Sequence, residues 1–293
     1  MTVATSQVTV GDGRTVTVYE AGDPGGAAIL FHHGTPSCGE PYAPHVRLAG
    51  EQGVRLVSYE RAGYGDSSRD TGRDVAAVAR DVAEITAALG IDRFATWGLS
   101  GGGPHALACA ALLPAQVAAV ASVGGVAPYG VDGLDWLKGM GEANVEEFGA
   151  ALAGEATLRP ALEEEAAAGR MSVAELVTAM RTLLSPPDVE ALEGGLGAYI
   201  LAGFGRALAH GVDGWLDDDL AFTRPWGFEP AEIGPPVLVV QGRQDLMVPT
   251  GHGDWLARRI PDAEAWFSDD EGHLTLFEPG PVRRINEWLL ERL

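Results

Sequence analysis

Ser100 sits in Gly98-Leu99-Ser100-Gly101-Gly102, directly after an apolar run and directly before a helical pattern. A chain that turns from strand to helix at one residue holds that residue in a strained backbone conformation. Its neighbours two positions away must be small so that strand and helix can pass, a need that Gly98 and Gly102 meet. Such a turn presents the Ser100 hydroxyl outward and aims the Gly101 N–H, at the positive end of the following helix, toward a reacting oxygen. A serine hydroxyl is a weak nucleophile at neutral pH, so this chemistry also needs a base and a group that orients the base.

Both partners are found downstream, in the order acid and then histidine. Asp245 ends Gly242-Arg243-Gln244-Asp245, just past the apolar run Val237–Val240, at the carboxyl edge where parallel sheets place their chemistry. His273 ends the polar loop 269–273, which follows the strand-like Ala265–Ser268. Upstream, His33-Gly34-Thr35-Pro36 follows the run Ala28–Phe31, where a backbone N–H of Thr35 can oppose that of Gly101 as the second donor to an oxyanion. The adjacent His32 and His33 point apart and have no carboxylate partners, so they are expected to hold the loop, and no metal or cofactor is expected. His252, close behind Asp245, is the weaker candidate for the base.

The elements that must position these residues follow from periodicity. Val8–Val10 and Thr15–Tyr19 alternate around Gly11-Asp12-Gly13, as in an antiparallel hairpin. Short continuous apolar runs at Ala28–Phe31, Arg55–Tyr59, Phe94–Trp97, Val117–Val123 and Val237–Val240 read as strands buried on both faces. Helical patterns at Asp74–Leu89, Gly102–Leu113 and Gly251–Arg259 lie between them, so the class is α/β with a mostly parallel sheet. From Tyr129 to about Phe228 the strand pattern stops, and amphipathic segments such as Val145–Leu152, Ser172–Leu184 and Ala198–His210 replace it. The expected organisation is therefore a core over 1–128 and 229–293, with a helical cap inserted over 129–228. Within the cap, Glu163–Glu165 and Asp217–Asp219 read most simply as solvated faces or helix starts.

These motifs together resemble the α/β-hydrolase superfamily, in its lidded, esterase-like branch. The resemblance rests on His33–Pro36, Arg61-Ala62-Gly63-Tyr64-Gly65-Asp66-Ser67, Gly98–Gly102, Gly242–Asp245 with Val248-Pro249, and Gly272-His273, and it covers essentially the whole chain. It implies about eight strands and a helical cap over the site. Glu60 and Ala62 depart from the Asp-Arg-Pro-Gly often seen before Tyr64-Gly65, in a supporting loop. Branches that use an aspartate at the turn, the epoxide hydrolases and haloalkane dehalogenases, do not fit Ser100.

Cleavage of an ester or related acyl bond of a small, largely apolar substrate is the expected activity. A C–C bond hydrolase, a thioesterase, an aminopeptidase or a cofactor-free perhydrolase would use the same residues, and a small-molecule receptor on this scaffold would keep them without turnover. The formal charge of −21 repels phosphate backbones and anionic membranes, so no nucleic-acid or membrane partner is expected. With 46% hydrophobic residues the chain can bury a sizeable core. No signal-peptide pattern opens the sequence, and Cys38 and Cys109 are too few for a disulfide framework, so a cytoplasmic location is expected. The sequence leaves the oligomeric state open.

Overall fold

The computed structural model describes residues 2–167 and 171–293. Eight strands form one sheet: β1 (Ala4–Thr9), β2 (Thr15–Gly22), β3 (Ala27–His32), β4 (Val54–Tyr59), β5 (Phe94–Leu99), β6 (Val117–Val123), β7 (Val237–Gly242) and β8 (Glu264–Ser268). Their order is β1-β2-β4-β3-β5-β6-β7-β8, antiparallel at the β1–β2 and β2–β4 pairs and parallel elsewhere. The opening hairpin pairs Thr9 with Thr15 across the expected Gly-rich turn. Strands β5, β6 and β7 are buried along almost their whole length, which explains why their sequences are continuously apolar instead of alternating.

Five helices connect or flank the strands: α1 (Ala43–Glu51), α2 (Val78–Ala88), α3 (Gly102–Leu112), α10 (Thr250–Arg259) and α11 (Pro279–Leu290). The helix expected from Asp74 begins as a 3₁₀ turn over Val75–Ala77, where the Asp74 side chain accepts the Ala77 N–H at 2.9 Å, and continues as α2. Helix α3 is buried from Gly102 to Ala110, so it has no polar stripe and fills the space beneath β5 and β6.

Between β6 and β7 the elements among the described residues are helical: α4 (Glu142–Ala153), α5 (Glu155–Ala166), α6 (Val173–Ala179), α7 (Pro186–Ala191), α8 (Gly197–Ala207) and α9 (Asp213–Phe222). The helix expected over Ser172–Leu184 is shorter than its apolar pattern. It opens with a capping box between Ser172 and Glu175 and ends at Ala179. The expectation of a solvated Asp217–Asp219 fails outright, because all three aspartates are buried on α9. Asp217 pairs with Arg69 at 2.7 Å, and Asp218 pairs with both Arg61 and Arg73 at 2.6 Å. These cations come from the loop after β4, so their charges neutralise Asp217 and Asp218 from across the fold. No helix among the described residues is long and apolar enough to cross a membrane.

Candidate active site

Strand β5 delivers Ser100 and helix α3 starts two residues later. Ser100 has φ of +55°, a left-handed conformation that only one other non-glycine among the described residues, Asp262, adopts. Its N–H is tied to the Val123 carbonyl at 2.8 Å and its carbonyl accepts the Gly103 N–H at 2.9 Å. A Cβ on Gly98 would collide with the Gly102 carbonyl, and one on Gly102 would collide with the His32 carbonyl. The small residues at these two positions are therefore steric requirements, as the spacing predicts. Gly98→Ala is expected to leave little soluble protein, whereas Gly149→Ala, with open space around an added Cβ, is expected to express normally, as gel filtration can check.

Past the carboxyl ends of β7 and β8, at the same edge of the sheet, Asp245 and His273 meet: the His273 Nδ1–H donates to Asp245 Oδ2 at 2.6 Å. The same oxygen accepts Gln241 Nε2 at 3.1 Å, and Oδ1 accepts the N–H groups of Met247 and Val248 at 2.9 and 2.8 Å. Asp245 is thus fixed on four sides, and with Nδ1 engaged His273 keeps Nε2 for chemistry. Burial disfavours the imidazolium, but the Asp245 charge, its hydrogen bond and the Asp188 charge outweigh it, so the His273 pKa is raised above its ordinary value.

The rival histidine is excluded by its bonding. His252 Nδ1 accepts the Ala127 N–H at 3.0 Å and Nε2 donates to the Trp136 carbonyl at 2.8 Å, so both nitrogens are occupied. Burial brings its pKa down to about 4. His32, the last residue of β3, and His33, the first of the loop, are both buried. His32 Nδ1 meets the Tyr59 hydroxyl at 2.9 Å, and His33 donates to the Gly34 carbonyl at 2.8 Å while accepting the Arg61 N–H at 3.2 Å.

Ser100, Gly101, Thr35 and His273 line one cavity of about 330 Å³. A Cβ added at Gly101 would strike the Thr35 side chain, and one at Gly34 would stand 3.5 Å from Ser100 Cβ, so the β3 loop and the Ser100 turn face each other directly. Ser100, Thr35, Gly101 and His273 thus share one cavity, and Asp245 is bound to His273. The Thr35 hydroxyl donates to Asp218 Oδ2 at 2.6 Å and accepts Arg61 Nη2 at 3.0 Å.

Two residues at the site escaped sequence reading. Gly124, at φ +54°, lies against the imidazole, where an added Cβ would stand 3.1 Å from His273 Nδ1. Asp188, the third residue of α7, is fully buried and accepts the N–H groups of His273, Leu274 and Thr275 at 3.1, 2.7 and 3.3 Å, together with the Ser185 hydroxyl at 2.7 Å. The only sequence signal for it is the capping box Ser185-Pro186-Pro187-Asp188, which accounts for a helix start but not for a hold on a loop 85 residues away in sequence. Asp188→Asn keeps an acceptor oxygen and removes the charge. The His273 pKa, followed by NMR, is therefore expected to fall in this variant, and an unchanged value would leave Asp188 a purely structural clasp.

The chain is similar to several solved structures over nearly its full length. With an esterase from Rhodococcus sp. ECU1013 it shares 22% identity at a TM-score of 0.71, covering 99% of each chain. With an enol-lactonase from Burkholderia xenovorans LB400 the figures are 21% and 0.69, over 98% of this chain and 100% of the other. With a bromoperoxidase from Bacillus anthracis they are 18% and 0.73, over the same shares. No curated protein sequence is significantly similar to the chain. The sequence profile of the alpha/beta hydrolase fold matches residues 27–279, a span that runs from β3 through Ser100, Asp245 and His273 to the start of α11, and the chain therefore belongs to the α/β-hydrolase family.

Proposed function

We propose that the chain is a serine hydrolase that cleaves an ester or related acyl bond of a small, largely apolar substrate through an acyl-enzyme on Ser100. The observation that carries this reading is the 2.6 Å bond from His273 to Asp245 beside a cavity that Ser100 enters in a left-handed turn. Ser100 Oγ attacks the carbonyl carbon while His273 Nε2 takes its proton, and the oxyanion is held by the N–H groups of Thr35 and Gly101. Collapse of the tetrahedral intermediate breaks the bond to the leaving alcohol, which receives the proton from His273. Water, deprotonated by the same imidazole, then attacks the acyl carbon and restores Ser100.

Residues 129–228 act in this reading as a lid, since α4, α8 and α9 supply cavity-lining side chains such as Phe148, Phe204 and Phe222. No cofactor enters the reaction, and the partner is a small acyl compound. A cytoplasmic location belongs to the same reading, supported by two buried free thiols at Cys38 and Cys109.

The test is a fluorophosphonate probe followed by peptide mapping, together with turnover of a panel of acyl esters, thioesters and amides. Labelling at Ser100 and hydrolysis of at least one ester series are expected. Labelling at another residue overturns the assignment. Because the base works only when neutral, kcat/KM should fall as pH drops through the His273 pKa. That pKa is raised, so the acid limb is expected above the ordinary histidine value of about 6.5. A limb below that value would count against His273.

A further inference from the structure

Helix α9 carries three consecutive buried aspartates, but only two are neutralised. Asp217 and Asp218 take Arg69, Arg61 and Arg73, whereas Asp219, also fully buried, receives no donor on either oxygen from any described residue. Another acid lies beside it. Glu147, on the facing helix α4, lies with its carboxyl within hydrogen-bonding reach of Asp219 and accepts Trp215 Nε1 at 3.0 Å through Oε1. Both line the cavity that holds Ser100 and His273, and the exposed Glu165 of α5 lines it as well. Among the described residues none of these three carboxyls forms an ion pair.

Two carboxylates side by side, Asp219 fully buried and Glu147 half-buried, oppose each other's ionisation. Burial first, and the Glu147 charge second, push the Asp219 pKa well above its ordinary value, while burial takes Glu147 up to about 7. Each carboxyl therefore makes the other harder to ionise, and a proton shared between them is favoured over two adjacent charges. A proton shared with Glu147 can satisfy at most one oxygen of Asp219, and the other has no donor among the described residues, at a desolvation cost that a fold does not ordinarily leave uncompensated. What the described part of the wall lacks is a group that brings both positive charge and hydrogen-bond donors. A primary ammonium brings both. A hydroxyl brings a donor but no charge, and an anion would be repelled here and by the chain's overall charge of −21. A divalent metal fits less well, because no group of three His, Cys, Asp or Glu among the described residues is placed to hold an ion.

The geometry points to a cation subsite in the cavity wall, in which the Glu147–Asp219 carboxyl pair receives the protonated amine of an amine-bearing acyl substrate, an assignment that rests on the acyl-transfer reading above. The remaining cavity surface is largely apolar, including Phe148, Leu176, Met180 and Phe222. The substrate class is accordingly an acyl compound with a hydrocarbon body and one basic nitrogen.

Two measurements test it. In the first, Ser100→Ala protein at about 0.15 M salt, which screens surface attraction, is titrated calorimetrically with straight-chain primary amines and with the alcohols of the same lengths. One equivalent of the best-fitting amine is expected to bind about tenfold or more tightly than its alcohol, and the difference should vanish when Glu147→Gln is added. Asp219→Asn provides a second variant should Glu147→Gln fail to fold. Equal affinity of amine and alcohol at every length overturns the subsite with no variant needed.

In the second, ω-amino acyl esters are compared with neutral acyl esters of equal length on the wild type. A kcat/KM ratio of about ten or more for one matched length supports the subsite, and its collapse toward one in Glu147→Gln locates it. A ratio near one throughout overturns it. Amine-selective binding in Ser100→Ala with no ester hydrolysed by the wild type would instead overturn the acyl-transfer reading and uphold the subsite.

Discussion

Ser100→Ala is expected to fold as the wild type does and to lose about 10⁴-fold or more of its kcat. The folding half of this expectation follows from sterics. Alanine needs the same left-handed φ of +55° that serine already tolerates, and it keeps the backbone bonds to Val123 and Gly103. The catalytic half follows from the role proposed for the hydroxyl as the atom that makes and breaks bonds, for which no neighbour can substitute. His273→Ala and Asp245→Asn should each cost heavily too, but neither should add to the loss in Ser100→Ala, because base and orienter act only through the nucleophile. What survives would come from binding and from the Thr35 and Gly101 N–H groups. The measurement is kcat of single and double variants on the best ester, with circular dichroism as the check on folding. Additive losses in Ser100→Ala/His273→Ala would mean that His273 contributes by a route independent of Ser100, and the triad would be wrong.

How much of this was legible in advance depended on whether the signal was local. The Ser100 turn could be read from five residues, because the clash that forbids side chains at Gly98 and Gly102 arises within the turn itself and with the adjacent β3. The parallel strands could be read because burial on both faces leaves a continuous apolar run. Asp245 and His273 were visible as polar residues just past strand ends. Asp217–Asp219 could not be read, since three aspartates in a row carry the composition of a solvated face. The burial of Asp217 and Asp218 depends on Arg61, Arg69 and Arg73, which lie about 150 residues earlier in the chain. For the same reason Asp188 was hidden: its three backbone donors belong to a loop that only the fold brings near.

Asp218→Ala is the second substitution with a large expected effect, and it bears on stability and the site together. Asp218 Oδ2 accepts from the Arg61 guanidinium at 2.6 Å, the Thr35 hydroxyl at 2.6 Å and the Tyr64 hydroxyl at 2.8 Å, while Oδ1 takes Arg73 at 2.6 Å and His105 Nε2 at 3.2 Å. Burial opposes the charge of Asp218, but Arg61 and Arg73 overcome it and hold its pKa well below the ordinary carboxylate range. Arg61 in turn donates to the carbonyls of His33 and Gly34, the loop that carries the Thr35 N–H. Alanine at 218 leaves Arg61, 1% exposed, as an uncompensated buried charge, a change that typically costs about 3–5 kcal/mol. The melting temperature is accordingly expected to fall by roughly 10 °C. Asp218→Asn keeps hydrogen-bond acceptors without the charge and should fall between alanine and wild type.

The loop beneath Thr35 would also lose its anchor, so kcat on the best ester should drop at temperatures where the variant is still folded. Thr35→Val then becomes informative, because valine keeps the backbone N–H and removes only the hydroxyl that Asp218 and Arg61 share. If the network acts by holding the loop, Thr35→Val should lower both the melting temperature and kcat, by less than Asp218→Ala. The two losses should be less than additive in the double variant, since both cut the same connection. A melting temperature unchanged in Asp218→Ala would mean that Arg61 finds another partner or water, and the network would then have no hold on the loop.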